Sequence, residues 1–243
     1  MRALLAFFTV LPLRASTLRE AAASVHLLPF VGLVAGLPGA AILLLGYELP
    51  PGVAATLALG AVLLAAGLHH SDGVLDVGDA LMVRGTRERR QEVLKDARVG
   101  IGGLGALFIV YAPALAALTA VADNSPVRAA LALLAAEVAA RSAMVLMLAF
   151  GAPAQATSSA VEFTRSLTGL RATVGVAIAL AGPALLALPL GGGALLAALT
   201  VPLVALLALR VAGGAFGGIS GDVSGATGEL ARAAFLVALS ATI

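Results

Sequence analysis

Apolar stretches of about twenty residues recur along this chain, and they leave it few folds to choose from, because a run of that length crosses a hydrocarbon core about 30 Å thick. Inside lipid every backbone polar group needs an internal partner, which restricts spanning structures to helices or closed barrels. Seven runs stand out: Ser24 to Leu45, Val53 to Leu68, Gly102 to Val121, Val127 to Phe150, Ala172 to Leu190, Ala194 to Leu209 and Ala226 to Ile243. They are far longer than strands, so the predicted fold is all-α, a polytopic membrane bundle of about seven transmembrane helices. Residues 1–243 leave room for one integral membrane domain without a separate soluble module. The composition is 60% hydrophobic and 12% charged, whereas soluble domains carry roughly 25% charged residues.

Pro50-Pro51, the turn from Asp123 to Pro126, and Gly191 to Gly193 read as narrow loops on one side of the membrane. The other side then receives Arg2, Arg14 and Arg19, the long loop 69–101, the loop 151–171 and the segment 210–225. Basic residues concentrate there, with Arg84, Arg87, Arg89, Arg90, Lys95 and Arg98 in the long loop alone. The positive-inside rule puts that side, and the N-terminus, in the cytoplasm of a cell (inner) membrane. An amphipathic first segment, Leu4 to Leu13, is expected to lie along the interface. A formal net charge of +2 gives no reason to expect a nucleic-acid partner. The absence of cysteine excludes disulfides, thiolate metal sites and cysteine nucleophiles. Oligomeric state is left open.

Against this background His69–Asp79, HHSDGVLDVGD, is an exception: three of the 13 acidic residues fall within eight positions, directly after an apolar run. On a helix, spacings of four and three put Asp72, Asp76 and Asp79 within about 60° of one face. Like charges so close repel unless a cation neutralises them. Carboxylate oxygens favour magnesium, calcium or manganese over zinc, and magnesium commonly keeps waters and substrate phosphate oxygens in its shell. Gly73 and Gly78 would let backbone approach a ligand. His70 is expected to hydrogen-bond substrate, since no zinc-type histidine spacing accompanies it.

Further along, Thr86 caps a short predicted helix ending near Lys95, and LKDARVGIGG brings Lys95, Asp96 and Arg98 to a glycine-rich helix entry. Cations there can clamp phosphate, and N–H groups at Gly100, Gly102 and Gly103 form an anion site at the helix start. Glu137 and Arg141, four apart inside the fourth run, form a predicted intramembrane pair, with Arg141 able to reach the site. Asp222, in the turn GGISGDVSGATGEL, adds a fourth carboxylate from a remote part of the chain. Together these groups resemble machinery for metal-assisted chemistry on a diphosphate.

The residues also resemble a known family, the adenosylcobinamide-GDP ribazoletransferases or cobalamin synthases. The signature H-x-D-G-x-x-D-x-x-D is similar to His70, Asp72, Gly73, Asp76 and Asp79, and the element K-D-x-R-x-G to Lys95, Asp96, Arg98 and Gly100. LPFVG at 28–32, Arg141 to Met144 and GGISGD at 217–222 extend the likeness over nearly the whole chain. Ala80 stands where the family usually has Gly, and Ala97 where it has Ser; neither change removes a ligand. The resemblance implies a magnesium-dependent catalytic domain over residues 1–243 that joins adenosylcobinamide-GDP to alpha-ribazole or its 5'-phosphate and releases GMP. It implies that Asp72, Asp76 and Asp79 bind Mg2+ and form the catalytic group. Lys95, Arg98 and Arg141 would contact phosphates, and His70, Asp96 and Asp222 would complete the substrate site. Two alternatives fit less well. A CDP-alcohol phosphotransferase-like lipid enzyme needs D-G-x-x-A-R, but Asp72-Gly73 is followed by Val-Leu-Asp. A cation transporter needs acids deep in several spans, where Glu137 alone stands out in the sequence.

Overall fold

The computed structural model describes residues 1–242 apart from 15 and 157, and the regular elements among them are helices. In chain order they are α1 (Arg2–Phe8), α2 (Leu18–Ala22), α3 (Leu28–Leu45), α4 (Pro51–Ala65), α5 (His69–Met82), α6 (Arg87–Val93), α7 (Ile101–Asn124), α8 (Pro126–Phe150), α9 (Ala160–Ser166), α10 (Gly169–Ala187), α11 (Gly193–Ala215) and α12 (Gly221–Ser240). A 3-10 turn, Val25–Leu27, leads into α3. The expected interfacial segment is shorter than Leu4 to Leu13: α1 ends at Phe8, ahead of Pro12, and buries Leu4 and Phe8 against its neighbours.

This is a membrane protein, with five stretches long and apolar enough to cross a bilayer: Val25–Leu45, Ile101–Asn124, Pro126–Phe150, Gly169–Leu190 and Gly193–Ala215. A sixth is obtained if α4 and α5 count as one span bent by 94°. The expected seven is therefore not the number that length and composition support. The second run became α4, only 15 residues long. The seventh became α12, too polar to qualify because Glu229 and Arg232 lie inside it; its expected end at Ile243 is outside the described residues. The bend before α5 has a local cause. Gly67 and Leu68 both take positive φ, 74° and 61°, a conformation that terminates a right-handed helix. We take α5, with its three carboxylates, as an arm outside the spans.

Helix α8 is the axis of the bundle, with 89% of its most apolar window buried against 28% in α7, α10 and α11. Alanine is the commonest residue on its buried face, and in lipid such small residues let helices approach closely. A side chain at Gly32 of α3 would collide with the Glu137 carbonyl, and one at Gly228 of α12 would stand 3.1 Å from the Ala140 carbonyl. On the outer helices the large apolar residues face outward, such as Phe108 at 73% and Leu199 at 64% exposure, as a lipid-facing surface requires.

The predicted grouping of loops at one end of the bundle is present. Lys95 Nζ donates to Gln155 Oε1 (2.7 Å), Gln155 Nε2 to Gln91 Oε1 (3.1 Å), and Gln91 Nε2 to the Phe216 carbonyl (2.6 Å). Ile219 N–H donates to the Ala152 carbonyl (2.8 Å) and Ala154 N–H to the Ile219 carbonyl (2.9 Å). Arg19 of α2 meets Glu162 of α9 at 3.4 Å. The N-terminal segment, the loop around α6, the loop before α9 and the turn before α12 thus meet where α5 lies.

Candidate active site

Helix α5 is held between α12 and α7 by its glycines. A Cβ at Gly73 would stand 2.6 Å from the Asp222 carbonyl oxygen, and one at Gly78 would stand 2.8 Å from the Gly102 carbonyl. Across the first crossing, a Cβ at Gly225 would stand 3.0 Å from the His70 ring. These glycines therefore serve helix packing; the expectation that Gly73 and Gly78 bring backbone to a ligand is replaced by contact between helices. The Gly73 crossing carries Asp222 to α5, so the remote fourth carboxylate joins the group because two backbones touch.

The four aspartates do not share one environment. Asp79 Oδ2 accepts from Gly100 N–H (2.7 Å) and its Oδ1 from Gly103 N–H (2.8 Å), so it caps the first turn of α7. The anion site expected at this glycine-rich helix start exists, and the protein's own Asp79 fills it. Asp76 is pushed up to about 6, first by burial and then by Asp72, Asp222 and Asp79. No basic side chain among the described residues forms a salt bridge with any of these four carboxylates.

The residues fit a hard divalent ion in chemistry, since the donors are carboxylate oxygens whose mutual repulsion a cation relieves. They do not enclose one: among the described residues no three acidic or histidine side chains converge as a complete metal-binding group. An open set of this kind suits an ion that keeps water and substrate oxygens as ligands.

The basic element is arranged differently. Thr86 caps α6 as expected, accepting from Arg89 N–H (3.4 Å). Arg98 Nη2 donates to Asp96 Oδ2 at 2.6 Å, and these hydrogen bonds hold the Asp96 carboxyl down at about 2. Lys95 is tied to Gln155. Lys95, Asp96 and Arg98 are thus paired within the loop layer and do not contact the α5 carboxylates.

Deeper in the bundle lies a second charged group. Arg232 of α12 donates to both Glu137 of α8 and Glu229 of α12, its Nη2 lying 3.1 Å from Glu137 Oε2. Tyr111 Oη donates to Glu229 Oε2 (2.8 Å) and lies 2.8 Å from Ser71 Oγ, while His70 Nδ1 sits 3.8 Å from Glu229 Oε1. Arg141 pairs with Glu137 as expected, but only at 3.6 Å, and its three guanidinium nitrogens have no hydrogen-bond partner among the described residues. It is fully buried, so it does not open onto the carboxylate face. Glu229 and Arg232 join this group without an expectation from sequence, where their signal is a Glu and an Arg three apart inside an apolar run. Glu137 is accordingly not alone as a deep acid.

Beside the carboxylates is a cavity of about 290 Å3, lined by Phe7, Phe8, Phe163, His69, His70 and Asp222 among others. It joins α1 and α9 to α5 and α12.

Fold and site together define a helical membrane bundle with an open acidic face at its looped end. The cobalamin-5-phosphate synthase family model matches residues 1–240, and the chain belongs to that family. It is similar to the adenosylcobinamide-GDP ribazoletransferase of Azorhizobium caulinodans, with 36% identity over 97% of this chain and 92% of the relative. Its likeness to that of Xanthobacter autotrophicus is 37% over 87% and 82% of the two chains. Against that of Saccharolobus solfataricus it is 40% over 46% and 45%. No solved structure matches the chain. The protein is accordingly an enzyme, a transferase of cobalamin biosynthesis.

Proposed function

We propose that this enzyme joins adenosylcobinamide-GDP to alpha-ribazole, or to its 5'-phosphate, releasing GMP and forming adenosylcobalamin or its 5'-phosphate. A ribazole hydroxyl, losing its proton, attacks the phosphorus that bears the corrinoid side chain; a new P–O bond forms there as the bond from that phosphorus to the bridging oxygen breaks, and GMP departs with that oxygen. The observation that carries the reading to this site is the crossing of α12 over α5 at Gly73, which sets Asp222 beside the helix that carries Asp72 and Asp76, with no basic side chain among the described residues in a salt bridge to them. Asp72, Asp76 and Asp222 would hold magnesium, while Asp79 holds the start of α7 and adds its charge to the group. Bound magnesium supplies charge neutralisation on the diphosphate and its leaving group. Lys95 and Arg98 are the cations the loop layer offers to phosphate, and each exchanges its present partner, Gln155 or Asp96, to do so. Arg141 keeps the interior charge in place rather than meeting phosphate. The active face is cytoplasmic, at the inner membrane, because the basic loops gather at the same end as the carboxylates.

Membranes carrying the full chain, incubated with adenosylcobinamide-GDP, alpha-ribazole and magnesium, should release GMP in step with loss of the corrinoid diphosphate. Asp72→Asn, which removes charge at nearly constant volume, should lower the rate at least about a hundredfold while the protein remains folded. Unchanged turnover in that variant sinks the metal assignment; no GMP from the wild type sinks the reaction.

A further inference from the structure

The cavity beside the carboxylates has walls that a metal and two phosphates do not need. Three phenylalanines from two short helices outside the spans meet there: the Phe7 and Phe163 ring centroids lie 5.5 Å apart, those of Phe8 and Phe163 5.7 Å, and Phe8 stands 6.0 Å from the His70 ring. Met144 and Leu148 of α8 close the inner side. The polar groups are His69 and His70 of α5, Ser159 from the loop before α9, and Asp222 and Ser224 from the start of α12. Phe8 and Phe163 are nearly buried although α1 and α9 each span only seven residues, so these helices are held largely by what their rings pack against.

We propose that this cavity binds the bicyclic, alkylated benzimidazole base of the nucleoside acceptor, an inference that rests on the reaction proposed above. Its volume, about 290 Å3, falls just short of the roughly 300–1,000 Å3 typical of small-molecule sites, which suits a small bicyclic ring. A corrin macrocycle with its amide arms does not enter such a space. Guanine is planar too, but it carries donors and acceptors along its edges, and the wall where Phe7, Phe8, Phe163, Met144 and Leu148 meet would leave those on that side unpaired. An alkylated benzimidazole has apolar edges and a π-face, and aromatic side chains meet it in offset or edge-on geometry. Asp222 belongs both to the cavity and to the acidic group. A nucleoside with its base among the phenylalanines therefore presents its sugar hydroxyls toward the carboxylates, which is the orientation an acceptor needs. The corrinoid-GDP then approaches from the open side of the loop layer.

Steady-state kinetics of the full chain in detergent, varying each substrate in turn, tests this. Phe163→Ala should raise KM for alpha-ribazole about tenfold and leave KM for adenosylcobinamide-GDP within about twofold, while Phe163→Leu recovers part of the loss. In the wild type, free 5,6-dimethylbenzimidazole should compete with alpha-ribazole but not with adenosylcobinamide-GDP, a measurement that stands even if Phe163→Ala fails to accumulate. Competition with the corrinoid substrate, or a KM effect confined to it, overturns the assignment of the cavity while the reaction stands. Absence of GMP release from the wild type overturns the reaction itself, so the two failures are told apart.

Discussion

Two groups of charge lie on α5, α8 and α12, and they are built to opposite rules. In the interior, Glu137 and Glu229 face Arg141 and Arg232, so two negative charges meet two positive ones, all at most 1% exposed. At the looped end, the crossing at Gly73 brings Asp222 of α12 beside α5 with its Asp72 and Asp76, and no basic side chain among the described residues forms a salt bridge with them. Buried charge has to be paired with charge, so the first group is a cross-brace between helices. The second is left incomplete, and an incomplete charge set at an accessible face is one that a ligand completes.

The largest effect expected from breaking this contrast is in the interior. Arg232→Met should leave Glu229 buried without its cation and Glu137 with Arg141 alone, and cost about 3–5 kcal/mol, read as a large drop in thermal unfolding temperature in detergent. Asp72→Asn should not lower that temperature, and a matching loss would erase the distinction between the two groups. Gly73→Ala tests how the acidic face is assembled: its Cβ, 2.6 Å from the Asp222 carbonyl, should force α5 from α12. The expected cost is about 1–3 kcal/mol, with GMP release falling because Asp222 is moved away. Turnover at the wild-type rate would mean that Asp222 is not needed at the face.

Asp79 stands between the two rules, because its charge is satisfied by backbone N–H groups. Asp79→Ala should cost about 1 kcal/mol through the lost cap on α7, with a turnover loss smaller than that of Asp72→Asn. A loss as deep as that of Asp72→Asn would place Asp79 among the metal ligands. The smallest effect concerns pH. Asp76 binds its proton more tightly in the folded chain, at about 6 against the ordinary 3.8. Metal-free protein should therefore be most stable in acid and lose that contribution as pH rises through about 6. Magnesium should cancel the loss above that pH; a melting temperature flat from pH 4 to 7 without magnesium would show that neither burial nor the neighbouring carboxylates hold the Asp76 proton.

How much of this was legible varied with the kind of signal. Apolar runs revealed the helices, because lipid admits few residue types on a spanning surface. They misled on number: α4 is short, and α12 carries two charges whose burial depends on partners from α8 and α7. The 72, 76, 79 spacing marked an acidic helix face, yet the same three residues gave no hint that Asp79 would cap α7 twenty residues later. Asp222 attracted notice for its glycine-rich surroundings, but the reason it reaches α5 is the absence of a side chain at Gly73.

The sequence by itself determined a helical membrane protein, the side on which its basic loops gather, and an acidic cluster in search of a cation, because each of these rests on local composition and spacing. Only the tertiary structure decided which charges are neutralised and which are left open. Pairing of charge is set by helix crossings, and those depend on glycines and alanines whose contribution is the distance they permit between backbones.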